Sequence, residues 1–95
     1  IVVVIDNNHK WGMTSNSMQM KFKQYIPGTI EIGNPPYHEA VTALGGKGLL
    51  VERSDDILPA LEEAFASGVT ACINVMTDPD VIGPGSKALA MAEQL

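Results

Sequence analysis

The chain has 95 residues, 45% hydrophobic and 18% charged, with 6 basic and 11 acidic side chains for a net charge of −5. That length allows one small domain with a modest core, the composition argues against a disordered chain, and the basic residues are scattered apart from the Lys21/Lys23 pair, which disfavours a nucleic-acid partner. The single cysteine, Cys72, leaves no disulfide framework and no cysteine-rich metal site, and no apolar run is long enough to span a bilayer, so the expected setting is cytoplasmic with no membrane contact.

The chain opens on "IVVVID" (1–6), an unbroken apolar run of the kind that forms a strand buried on both faces of a parallel sheet. A terminal strand this apolar wants neighbours on both sides, from which we expect sequence upstream of Ile1. Two asparagines come next, Asn7 and Asn8, inside "DNNHKWGM" (6–13). A turn explains them, because Asn tolerates left-handed backbone and bonds to its own main chain. So does a ligand site, because open α/β sheets hold ligands at the carboxyl ends of their strands. An amide oxygen with a nearby main-chain carbonyl suits Mg²⁺ or Ca²⁺. Asp6 can add a carboxylate or cap the turn. His9 and His38 have no third partner at zinc spacing, so His9 is at most a substrate contact and His38 a surface or packing residue.

Residues 13–34 break the regular rhythm. "MTSNSMQMKFKQY" mixes helix formers with Thr, Ser and Asn, and "IPGTIEIGNPP" is punctuated by Pro27, Gly28, Gly33 and Asn34. A long, partly irregular segment in a compact domain is usually functional. Met13, Met18, Met20 and Phe22 either line an apolar pocket or fill core. "PPYHEAVTALGG" (35–46) then predicts a short helix with Tyr37, Val41 and Leu44 on one face and Gly45 and Gly46 closing it.

A second strand is expected at "GLLVER" (48–53). "SDDILPALEEAFASG" (54–68) gives a helix capped at Asp55 or Asp56, with Pro59 in its first turn, Ile57, Leu58, Leu61 and Phe65 at helical spacing, and Gly68 after its end. A third strand is expected at "TACINVM" (70–76), where Cys72 reads as an inert, buried thiol. "SKALAMAEQL" (86–95) predicts a last helix. The alternation gives an α/β fold, a parallel sheet with flanking helices. "GGKG" (45–48) runs helix to strand, the reverse of a phosphate loop, and no GxGxxG is present.

The string "VVVIDNNHKWGM", succeeded by a polar helix and then "PPYHEAVTALGGKGLLVERSDDILPALEEAFASGVTACINVMTDPDV", resembles the carboxyl-terminal part of thiamine-diphosphate-dependent enzymes. The branch it looks most like is that of acetolactate synthase large subunits, benzaldehyde lyase and 2-hydroxyacyl-CoA lyases. In that family the cofactor's diphosphate is held through a divalent metal by a motif that begins Gly-Asp-Gly and ends in Asn-Asn, and Asn7 and Asn8 match its end. The resemblance implies that 1–95 is the second half of a thiamine-diphosphate-binding domain whose first half lies upstream. It also implies that the Asn8 side chain and the Lys10 main-chain carbonyl ligate Mg²⁺, and that Trp11, Gly12 and Met13 lie close to the cofactor or substrate cleft.

The Gly-Asp-Gly half, with its metal-binding Asp, is absent here. So is the glutamate that activates the cofactor, which the family takes from an amino-terminal domain; neither Glu31 nor Glu39 matches it, and no catalytic residue is assigned. The implied activity is the making or breaking of a carbon–carbon bond next to a carbonyl on a 2-keto acid or acyloin-type substrate, with the cofactor ring as electron sink. The implied assembly is a homodimer or homotetramer, and some relatives also bind FAD. Two other readings stay open: a non-catalytic remnant or interaction module of the same fold, and an unrelated small α/β binding domain in which Asn7 and Asn8 only turn the chain.

Overall fold

The computed structural model describes residues 1–24, 28–85, 87 and 88. It has the expected α/β class, in two compact units: Ile1–Asn7 with Asn34–Thr77, and Asn8–Gly33 with the residues from Asp78 onward. Among the described residues no helix is long and apolar enough to cross a membrane.

The first unit carries the sheet. Strands β1 (Val2–Asn7), β2 (Lys47–Val51) and β3 (Ala71–Met76) are all parallel, in the order β1-β3-β2. Their bounds match the apolar runs to within two residues. Burial does not match, because only β3 is covered throughout most of its length, while Val4 of β1 is 54% exposed and Leu50 of β2 is also exposed. The reason is position: among the described residues β3 alone has a strand on each side, and both helices of this unit pack on β2 and β3.

Those helices are α2 (Tyr37–Ala43) and α3 (Ile57–Ala66), the latter preceded by a 3₁₀ turn at Ser54–Asp56. Asp56 occupies the cap position of α3 as expected, though its side chain makes no cap hydrogen bond, and Pro59 falls in the first turn, where its missing N–H costs nothing. Gly45 and Gly68 stand just beyond the two helices with φ of 95° and 73°, a backbone that a side chain would strain.

Side chains alternate across a strand, so the sheet has two distinct faces. One face meets α3: Ala71, Ile73 and Val51 form the buried core with Ala60 and Ala64, and Val2, Leu49, Leu61 and Val75 pack at its border. The sequence pattern favours Ile57, Leu58 and Phe65 for that contact, yet all three are exposed, Phe65 by 73%. Two alanines one turn apart let the α3 backbone approach the sheet closely, which turns the larger residues outward. Lys47 of β2 and Glu63 of α3 add an ion pair at 2.8 Å, solvent-exposed and of small energetic weight.

The other face meets α2 through Gly48. A Cβ there would collide with the His38 carbonyl oxygen and come to 2.5 Å from Thr42 Oγ1. The contact is tied by hydrogen bonds, since Gly48 N donates to Thr42 Oγ1 (3.1 Å) and that hydroxyl donates to the His38 carbonyl (3.0 Å). Leu44, expected on the inner face of this helix, lies at its C-cap and is exposed.

The second unit holds α1 (Gly12–Phe22). This is the polar helix expected after the Asn-Asn motif, and it makes the first part of the partly irregular stretch 13–34 regular, ending at Lys23 in left-handed backbone (φ 60°). Beyond it the chain returns to pair with the segment before the helix: Lys10 and Glu31 form an antiparallel bridge, Trp11 N donates to Ile30 O (2.8 Å), and Ile32 N donates to His9 O (3.0 Å). Met13 and Phe22 are exposed, and among the described residues neither they nor Met18 and Met20 line either of two cavities beside α1. The helix expected over 86–95 falls almost wholly outside the described residues.

Candidate functional site

Asn7 is not a turn residue. It is the last residue of β1, 3% exposed, with its carbonyl accepting a hydrogen bond from Thr77 N (2.9 Å). The left-handed backbone expected of the asparagines falls instead on His9, at φ 66°. Asp6, a candidate carboxylate ligand, accepts a short hydrogen bond from Thr77 Oγ1 (2.6 Å).

Asn8 bonds back to its own loop. Its Oδ1 accepts from the Lys10 main-chain N–H at 3.4 Å, which fixes the side chain over the loop. The antiparallel bridge uses the main-chain groups of His9 and Trp11 and leaves the Lys10 carbonyl outside it; among the described residues no hydrogen bond to that carbonyl is seen. Asn8 Oδ1 and Lys10 O are thus two neutral oxygens on one short loop, the hard donor type that Mg²⁺ and Ca²⁺ prefer.

Gly12 supplies the room. A Cβ at residue 12 would stand 2.6 Å from Asn8 Nδ2, so the Asn8 amide occupies space that any larger residue would fill. Trp11 and Met13, the other residues singled out from the sequence, are exposed on either side of Gly12. A cavity of about 200 Å³ is lined by Asn8, His9, Lys10, Ser15, Ile30, Glu31, Pro79 and Asp80. Ser15 and Asp80 are cavity residues outside the sequence motif. Folding alone brings Asp80 to this cavity, whereas Ser15 had a signal, a small polar residue one helical turn after Trp11. Among the described residues no three His, Cys, Asp or Glu side chains gather as a metal site, and the cavity beside Asn8 and Lys10 is also lined by the carboxylate residues Glu31 and Asp80.

The other buried polar groups lie in the sheet unit. Asn74, in the middle of β3, is 1% exposed. Its Oδ1 accepts from Asn7 Nδ2 (3.1 Å), and its Nδ2 faces His38 Nδ1 (3.2 Å). An amide left unbonded at such a position would cost about 1–3 kcal/mol, so this pairing is what makes Asn tolerable in a core strand. Cys72, two residues earlier in β3, is buried, and burial pushes its thiol up from the ordinary value, in keeping with an inert role.

Comparison with known proteins supplies the family. Residues 1–75 match the family described as "Thiamine pyrophosphate enzyme, C-terminal TPP binding domain". The chain belongs to that family. Within it, the chain is 42% identical over 90 residues to the acetolactate synthase large subunit IlvG of Mycobacterium tuberculosis and equally to a probable acetolactate synthase of Mycobacterium bovis. It is 34% identical over 82 residues to a 2-hydroxyacyl-CoA lyase of Oryza sativa subsp. japonica. These alignments cover 95% and 83% of the chain, but the chain spans only 16% of the mycobacterial relatives and 14% of the rice one. Membership makes thiamine diphosphate the cofactor of the domain, and the matched span includes Asn8, Lys10 and Gly12 together with Asn7, His38 and Asn74.

Proposed function

We propose that the chain is the second half of the cofactor-binding domain of a longer, Mg²⁺-dependent enzyme that makes or breaks a carbon–carbon bond next to a carbonyl, in the manner of acetolactate synthase. The observation that carries the reading is the Asn8 amide oxygen and the open Lys10 carbonyl on one loop, with Gly12 keeping the space beside Asn8 clear. In this reading Asn8 Oδ1 and the Lys10 carbonyl hold Mg²⁺, and Mg²⁺ holds the diphosphate. An acidic chain needs that intermediary, because its own charge of −5 opposes a diphosphate. Bound thiamine diphosphate supplies a nucleophilic ring carbon and an electron sink for 2-keto acid or acyloin-type substrates.

The residues of this chain anchor and orient. Asn8 and Lys10 fix the charged end of the cofactor, and Trp11, Gly12 and Met13 flank the cleft. Proton transfer belongs to parts of the enzyme outside this chain, in a homodimer or homotetramer of the cytoplasm. The test is calorimetric titration of thiamine diphosphate into the intact protein after EDTA stripping, with and without Mg²⁺. Binding that requires Mg²⁺ is expected. Absence of binding overturns the reading in favour of a non-catalytic module, and binding indifferent to Mg²⁺ removes the metal from it.

A further inference from the structure

We infer that Asn74 and His38 are positioning residues for the metal loop: through Asn7 they fix the end of β1, the residue bonded directly to Asn8. The inference rests on the reading of Asn8 as a metal ligand. Asn7 is held at both its groups. Its carbonyl accepts from Thr77 N (2.9 Å), and its Nδ2 lies 3.1 Å from Asn74 Oδ1, with Asn34 Oδ1 (3.5 Å) and Met76 Sδ (3.8 Å) as longer contacts.

Asn74 cannot rotate freely to serve Asn7. Its Oδ1 is taken by Asn7, so its Nδ2 donates to His38 Nδ1 at 3.2 Å, which leaves the imidazole proton on Nε2. His38 in turn stands at the start of α2, where its carbonyl is tied through Thr42 Oγ1 to Gly48 of β2. The chain of contacts therefore runs from β2 through α2 to β3 and ends at Asn7, all inside one compact unit. Apolar residues would fill β3 equally well. What amides add is direction, because each bond fixes the orientation of the next.

Mg²⁺ demands near-ideal octahedral geometry, whereas Ca²⁺ accepts longer and more variable distances. Loosening the residue before Asn8 should thus penalise Mg²⁺ more than Ca²⁺. In the intact protein, with saturating thiamine diphosphate, each ion is titrated by calorimetry. Asn74→Leu is expected to weaken Mg²⁺ binding by about tenfold or more and to lower the Mg²⁺ to Ca²⁺ affinity ratio by roughly fivefold. His38→Phe should act in the same direction, and His38→Asn, whose Oδ1 can take the place of Nδ1, should restore the wild-type ratio.

Unchanged affinities in both Asn74→Leu and His38→Phe overturn the inference. So does an equal loss for both ions that accompanies a fall in Tm, because that is packing and not positioning. Should Asn74→Leu fail to fold, the two His38 variants decide by the same criteria. A wild type with no Mg²⁺-dependent cofactor binding defeats the metal-site reading itself, and that result is in hand before any variant is compared.

Discussion

Gly12 and the side chain of Asn8 lie so close that a methyl group on residue 12 would come to 2.6 Å from Asn8 Nδ2. The nearest atom is the tip of a side chain, so Gly12→Ala is expected to push the amide aside and leave the fold intact. Mg²⁺-dependent affinity for thiamine diphosphate should fall about tenfold with Tm near the wild-type value. Calorimetry and a thermal melt on the same sample check both halves; an unchanged affinity would mean that the Asn8 amide need not stay where it is.

Asn8→Ala removes the oxygen altogether. Half-saturating concentrations of both Mg²⁺ and thiamine diphosphate should rise by at least about tenfold, and turnover at saturation should change less, because the lost group anchors and does not react. Equal half-saturation for wild type and variant would take Asn8 out of the metal site.

Trp11 is exposed next to the proposed metal loop. Trp11→Ala should change the ratio of kcat/KM between small and bulky 2-keto acids more than it changes cofactor affinity. An identical substrate profile would place Trp11 away from the cleft.

Gly48 is held against the main chain of α2 with no room for a Cβ. Gly48→Ala must separate helix from sheet, and we expect a loss of about 3 kcal/mol or more, read as a lowered denaturation midpoint at constant slope. A loss under about 0.5 kcal/mol would show that α2 can slide without cost.

Cys72 should be silent to thiol reagents in the native protein and react fully once it is unfolded. Its folded pKa is raised, so above the unfolded value of 9.0 the unfolded chain gives up its proton first. The stability contributed by this burial is therefore complete below that pH and is lost as pH rises through it toward the folded pKa. Cys72→Ala should flatten the decline; an identical decline in both proteins would assign it to other groups.

Much of the fold is legible in the sequence because its signals are local. Apolar runs mark the strands, Gly45 and Gly68 stop the helices, and Pro59 locates the start of α3. Burial is a different matter, because it depends on which strand lies in the middle. That is decided by pairing between distant residues, as the Asn7–Asn74 bond across 67 positions illustrates. The inner face of α3 is hard to read for a related reason: hydrophobicity points to Phe65, while close approach to the sheet selects Ala60 and Ala64. At the candidate site, Asn8 and Lys10 stand out through resemblance, not spacing. Asn74 carries a readable signal of its own, a lone amide inside an apolar run, and His38 does not, since nothing in a helix start announces a contact with a strand.

The strand order has a consequence for synthesis. β3 comes after β1 and β2 in the sequence and, among the described residues, is the strand that pairs with both. During synthesis β1 and β2 therefore emerge before the six-residue strand, Ala71–Met76, that both of them pair with in this unit. The two ladders differ in reach, since Lys47 and Ala71 are 24 residues apart and joined through α3 whereas Val2 and Ala71 are 69 apart, so the β1–β3 ladder carries the larger loop-closure cost and forms the later of the two.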